Sequence, residues 1–277
     1  MAWVLWAWLG GSCGPAADPA HPGTNAAPAV EAPEAPQAAS TGDNKPHPSY
    51  LGGPVLQNAA VVLVYWNGNV RSKPELESFY RTITRSAVFS ALAEYATSNP
   101  RQSIGLGSLV ASIAAAGSQA NLVHNADIQR ELSRLISVGA VPSRDRDTLY
   151  MIHFPPDVSV EFDQGLSCVD FCGYHTTFQR NGANVYYAVI PDMSGRCAGA
   201  CGPSDDWGNT TAVASHELVE SVTDPAVGLA ADLGPPLGWF DRDAGEIADI
   251  CNGQRATVEG FTIQPAWSNA LNRCFTF

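Results

Sequence analysis

At 277 residues and 45% hydrophobic composition, the chain is long enough to bury a core as one large domain or two small ones. Its formal net charge of -12, from 15 Lys and Arg against 27 Asp and Glu, leaves no basic stripe to neutralise phosphates and argues against nucleic acid as a partner. The acidic balance fits ordinary solubility or a protein that collects cations.

The chain opens on "MAWVLWAWLGGSCGPAADPA", an apolar run of export-signal length followed by small residues. Because a membrane span needs roughly 20 apolar residues, residues 1–17 read as a secretory signal, although no Lys or Arg precedes the run. "LGGSC" is a degenerate lipoprotein signal, which makes Cys13 a candidate lipid anchor. The expected location is extracellular or the cell envelope. Residues 18–49 are dominated by Ala and Pro, as in "AAPAVEAPEAPQAAS", with no periodic apolar pattern, and are expected to form a disordered linker.

A single domain is expected over residues 50–277. "NAAVVLVYW" (Asn58–Trp66) is a continuous apolar run rich in β-branched residues, the pattern of a strand buried on both faces. In "KPELESFYRTITRSAVFSALAEYAT", Pro74 stands at a helix start. Leu76, Phe79, Tyr80, Ile83, Val88, Leu92 and Tyr95 then recur at helical intervals, predicting one long or two short helices. A further helix is predicted over Ala126–Ser137, where Ile128, Leu132, Leu135 and Ile136 share a face, and "DTLYMIHF" reads as a strand. "FCGYHTTFQRNGANVYYAVIPD" reads as a hairpin, with Asn181 and Gly182 at the turn and Val185 to Ile190 as the returning strand. The predicted class is α+β, a mixed twisted sheet with flanking helices.

Seven cysteines leave Cys13 apart from Cys168, Cys172, Cys197, Cys201, Cys251 and Cys274. In an exported chain this even set predicts three disulfides, with pairing expected inside each CxxxC and between Cys251 and Cys274. The competing reading, a zinc site made of the two CxxxC pairs, is disfavoured by an oxidising destination.

"ASHELVESVTDP" (Ala214–Pro225) carries the chemistry. A helix is predicted from the capping residues Asn209, Thr210 and Thr211 to Thr223, stopped by Asp224 and Pro225. At 100° per residue Ala214, Leu218 and Val222 face the core, while His216 and Glu220 stack one turn apart on another side and can reach one cation. HExxH helices bind zinc this way, with the Glu after the first His as general base. Here Glu220 stands in place of the second His. Two anionic ligands leave bound water less acidic than a three-His site does, and they make manganese or calcium more competitive with zinc.

The segment "GWFDRDAGEIADIC" follows about twenty residues later. Zincins of the thermolysin kind take a third ligand from a downstream Glu, so Glu246 is the expected third ligand, with Asp249 at the site holding His216 in its ligating tautomer. Asp241, Asp243, Gly245 and Asp249 alternatively resemble a calcium loop. His175 in "CGYHTT" is a candidate ligand or, with Tyr174, a donor to a developing oxyanion. The plainer readings are a solvated amphipathic helix, an acidic turn and a structural histidine.

These motifs, in this order, resemble the phosphate-induced protein family, the exordium-like proteins of plants and their bacterial relatives. The resemblance runs through "YLGGPVLQNAAVVLVYW", "LESFYRTITRSAVFSALAEY", "IGLGS", "CGYH", "YAVIPD", "CAGAC", "ASHELVESVTDP", "EIADIC" and "WSNALNRC". It implies a secreted or cell-wall protein, in plants associated with growth and cell expansion, and it makes HExxE and EIAD parts of a family pattern.

The expected function is an exported zinc metallopeptidase of zincin-like architecture. His216, Glu220 and Glu246 would bind the metal, Glu217 would act as general base, and an edge strand near Val185 to Ile190 would align a peptide. The alternative is a non-catalytic cell-envelope protein in which a metal staples loops and the partner is a wall component or another protein. Carbohydrate hydrolysis is a third reading, but no spacing singles out a carboxylate pair.

Overall fold

The apolar run at residues 58–66 forms β1 (Ala60–Tyr65), the strand around which the rest is arranged. In this computed structural model residues 45–142 and 146–275 are described; the export-signal segment, Cys13 and the linker up to residue 44 lie outside them. After β1 come α1 (Lys73–Ile83), α2 (Ala87–Ala91), β2 (Ser108–Ala114), α3 (Asn125–Ser137), β3 (Thr148–His153), β4 (Tyr174–Arg180), β5 (Ala183–Ile190) and α4 (Asp206–Thr223). The helical pattern after Pro74 is thus two helices, broken at Thr84–Ser86.

The five strands form one sheet in the order β4-β5-β3-β1-β2, parallel except for the antiparallel β4–β5 hairpin. Asn181 and Gly182 make its turn, both at positive φ, as a tight hairpin connection requires. Strand alternation sends Val61, Leu63, Leu149, Met151, Tyr186 and Ala188 to a core shared with α1, α2 and α4. Val62, Val64, Tyr150, Ile152, Val185 and Tyr187 go to the other face, against α3. Both faces are therefore apolar, and each fully buried aliphatic side chain contributes about 1.5–3 kcal/mol. The protein is a mixed α and β fold with several sheets and, among the described residues, four α-helices.

Three sequence expectations are corrected by the fold. The strand Val185–Ile190 is interior, flanked by β4 and β3, so it cannot offer a free edge to a peptide. The edge on this side of the sheet is β4, and part of it is covered: Thr177 Oγ1 donates to the Pro225 carbonyl, and Gly228 packs on the Thr176 hydroxyl and the Thr177 backbone so closely that a Cβ would not fit. α4 starts three residues before Asn209, capped by Asp205, whose Oδ1 accepts from Gly208 N at 2.7 Å. Asn209 instead lies inside the helix and donates to the carbonyls of Gly202 and Ser204, tying the preceding loop down.

The third concerns the linker's end, which already belongs to the domain: Ser49–Tyr50 pairs with Trp239–Phe240, and Asn269 Nδ2 donates to the Pro48 carbonyl.

Candidate metal centre

Two disulfides set up the approach to the site. Cys168 pairs with Cys197 and Cys172 with Cys201, at Cα separations of 5.1 and 5.5 Å, while Cys251 pairs with Cys274 at 5.8 Å. The expected pairing within each CxxxC is therefore wrong, and that of Cys251 with Cys274 is right. Each CxxxC is a tight turn, closed by Cys168 N on the Phe171 carbonyl in one and by Ala200 N on the Cys197 carbonyl in the other. The two turns lie side by side with equal spacing, so each cysteine meets its counterpart across the gap rather than its neighbour along the chain. All six thiols are consumed, which removes the cysteine zinc site. The cross-links sit just before β4 and α4, the two elements that carry the charged side chains.

α4 packs on β4, β5 and the strand Phe261–Ile263. Its stripe Ala214, Leu218 and Val222 is fully buried. Between α4, β4 and the segment from Glu246 to Asp249 lies a cluster of His175, His216, Glu217, Glu220, Glu246 and Asp249, with Asp224 at its end. His216 Nε2 stands 3.0 Å from Glu220 Oε2 and 3.5 Å from Asp249 Oδ1. His175 Nδ1 stands 3.4 Å from Glu217 Oε2 and 3.9 Å from Glu220 Oε2, and its Nε2 is 3.4 Å from Glu246 Oε1 and 3.2 Å from the Asp224 carbonyl.

Two groups of three potential ligands result, His216 with Glu220 and Asp249, and His175 with Glu220 and Glu246. Glu246 thus belongs with His175 rather than with His216, and Asp249 is the carboxylate that reaches His216. Glu220 is common to both. Its Oε1 accepts from Ala248 N and Asp249 N at 3.0 and 2.9 Å, which fastens the EIAD turn to α4 and leaves Oε2 for the cluster. Glu217 lies against Gly173, where a Cβ would fall 2.8 Å from Glu217 Oε1, so only glycine lets the carboxylate sit so close to the strand.

The electrostatics are unbalanced. Burial alone would lower the pKa of both histidines, but Glu246 and Glu217 outweigh it at His175, and Glu220 and Asp249 do so at His216, holding each well above the ordinary imidazole value. Burial pushes the Glu220 carboxyl up and Glu246 far up, and takes Asp224 to about 7. Five carboxylates against two imidazoles cannot all ionise in an apolar interior unless protons or a cation neutralise the excess. Glu246 Oε1 and Asp224 Oδ2 have no hydrogen-bond partner at all.

The donor set fits a divalent cation. With metal–ligand distances of about 2.0–2.2 Å, tetrahedral ligand atoms stand about 3.3–3.6 Å apart. The cluster's histidine–carboxylate separations of 3.0 to 3.9 Å straddle that range. Gln264 imposes one condition. Its amide nitrogen lies 2.7 Å from both His216 Nδ1 and the Ala248 carbonyl, an arrangement in which a neutral His216 carries its proton on Nε2, facing Glu220. Use of Nε2 as a ligand would move that proton to Nδ1, and the Gln264 amide would have to turn to accept it, giving up its bond to the Ala248 carbonyl.

Two expected members are elsewhere. Tyr174 points to the opposite face of the sheet, where its hydroxyl donates to Asn125 Oδ1 at 2.8 Å and its ring stacks on Phe162, so it cannot serve an oxyanion beside His175. Adjacent strand residues face opposite sides, which separates the pair. The calcium set is not assembled either: among the described residues Asp241, Asp243 and Asp249 do not converge. Asp241 is instead filled by backbone N–H groups of His47, Asp243 and Ala244, which hold its carboxyl below the ordinary range despite partial burial.

Asp224 and Gln264 are the members that sequence reasoning missed. Asp224 is visible in "TDP" only as a helix stop, and nothing around Gln264 marks it.

In comparisons with known proteins the chain matches no protein family, no curated protein and no solved structure. The three disulfides fit an oxidising environment, and no helix among the described residues is long and apolar enough to cross a membrane.

Proposed function

We propose that this protein is an exported, metal-dependent hydrolase acting on a peptide or related amide bond, built on a zincin-like pairing of an HExxE helix with a sheet. The observation that supports it most is the convergence of His216, Glu220 and Asp249 at the less buried end of the cluster, where the His216 and Asp249 side chains keep 11% and 17% exposure, with Glu217 following His216 in α4 and 3.4 Å from His175. The motif order shared with the phosphate-induced family and the export-like N-terminus, with Cys13 as an optional lipid anchor, belong to the same reading.

In this reading His216 Nε2, Glu220 Oε2 and Asp249 Oδ1 hold the cation, zinc first and manganese next. A cation held there would supply polarisation of a carbonyl and a more acidic water, less strongly than with three neutral ligands because two here are anionic. Glu217 takes a proton from the attacking water, whose oxygen adds to the carbonyl carbon. The C–N bond then breaks, and Glu217 returns the proton to the leaving amine. His175, 3.4 Å from Glu217, holds that carboxylate in place. With β5 interior and β4 partly covered, substrate alignment is not assigned to the sheet edge.

A second reading, a non-catalytic envelope protein with a structural metal, draws support from the closure of the other half of the cluster, where His175, Glu220 and Glu246 are nearly inaccessible. Glu217→Gln separates the two. Hydrolysis of casein should fall by about 10²–10⁴-fold with metal content unchanged. Equal activity in the variant and the parent protein would sink the hydrolase reading.

A further inference from the structure

We infer that the cluster holds two cations rather than one, with Glu220 shared between an outer site at His216 and Asp249 and an inner, closed site at His175 and Glu246. This rests on the metal-dependent reading of α4 and extends it to a second ion.

The inner group stands on its own geometry. His175, Glu220 and Glu246 each offer a ligand atom within 4.8 Å of the others, and all three side chains are at most 4% exposed. The ordinary alternative is a buried imidazolium paired with carboxylates, but charge-assisted N–H···O contacts run at about 2.7–2.9 Å. His175 Nδ1 lies 3.4 Å from Glu217 and 3.9 Å from Glu220, and Nε2 lies 3.4 Å from Glu246, each longer than such a pair; as a ligand His175 would use one nitrogen, and the Nε2–Glu246 separation matches that of two ligands around one ion.

A second observation is that Glu246 Oε1 and Asp224 Oδ2, on residues 2% and 0% exposed, accept no hydrogen bond. Glu246 Oε1 faces His175 Nε2, and the Asp224 carbonyl is 3.2 Å from the same nitrogen, so oxygen donors surround this side of the ring. A buried carboxylate oxygen without a hydrogen bond is costly, and a cation would remove that cost.

The two groups cannot be one site. Glu246 approaches His175 and Asp249 approaches His216, and only Glu220 enters both groups. Pairs of metal ions about 3.5–4 Å apart recur in hydrolases; here the closed inner ion would act on the outer one through the shared Glu220. The oxygen-rich donor set suits manganese as well as zinc.

The test is metal stoichiometry on the full chain after reloading with Mn²⁺ alone, read by native mass spectrometry and by electron paramagnetic resonance. The expected result is two Mn²⁺ per chain with a spin-coupled spectrum. Glu246→Gln should drop to one Mn²⁺ with an uncoupled spectrum, and Asp249→Asn should also keep one. Saturation of the parent protein at one Mn²⁺, retained in Glu246→Gln and lost in Asp249→Asn, would overturn the second ion while leaving the hydrolase reading intact. No Mn²⁺ binding by folded parent protein would overturn both. Should Glu246→Gln fail to fold, the parent's own spectrum decides: coupled spins support two ions, isolated spins at saturation refute them.

Discussion

Two neighbours on β4, Tyr174 and His175, show how differently the two faces of one sheet treat buried polarity. On the α3 face the hydroxyls of Tyr174 and Tyr187 both donate to Asn125 Oδ1, at 2.8 and 2.7 Å, and Gln129 Nε2 donates to the Tyr187 hydroxyl. The groups are neutral and mutually satisfied, as buried polar atoms usually are. On the α4 face the groups are ionisable and outnumber their partners, and two carboxylate oxygens have none. A core that needed only stability could have been built like the first face. The second retains an electrostatic deficit, a state that persists where function requires it.

The comparison breaks most sharply at Glu220. Glu220→Ala removes the shared ligand and the acceptor of Ala248 N and Asp249 N, so it should abolish metal binding and lower stability by about 3–5 kcal/mol in urea unfolding. Normal metal content in the variant would mean that the cluster's cation site does not depend on α4. A smaller effect is expected on the other face. Asn125→Ala leaves two buried hydroxyls without their acceptor and should cost about 1–3 kcal/mol, with metal content unchanged. A loss of metal there would show that the two faces are coupled through β4.

Much of the sheet was legible because its strands obey the pattern of two-sided burial, and α3 because its apolar residues keep one helical face. The start of α4 was not, since Asp205 lies in the polar "GPSDDWGN" loop, outside any apolar periodicity. HExxE spacing brings His216 and Glu220 together without help from the rest of the fold. The third partner depends on tertiary structure. Glu246 and Asp249 lie within one turn of chain, and which of them reaches His216 is decided by how that turn folds after Gly245, at positive φ, and by the grip of Glu220 Oε1 on its backbone. The disulfides were illegible for a similar reason: two CxxxC turns of equal spacing allow local or crossed pairing, and only their placement side by side selects the crossed form.

The central claim is that the charged face of α4 is a cation site, and the most direct measurement is the metal content of the full chain purified without added metal, beside His216→Ala. The account predicts bound divalent metal in the parent protein and less of it in the variant. Folded parent protein that carries no metal and takes up none on reloading with zinc or manganese would contradict it.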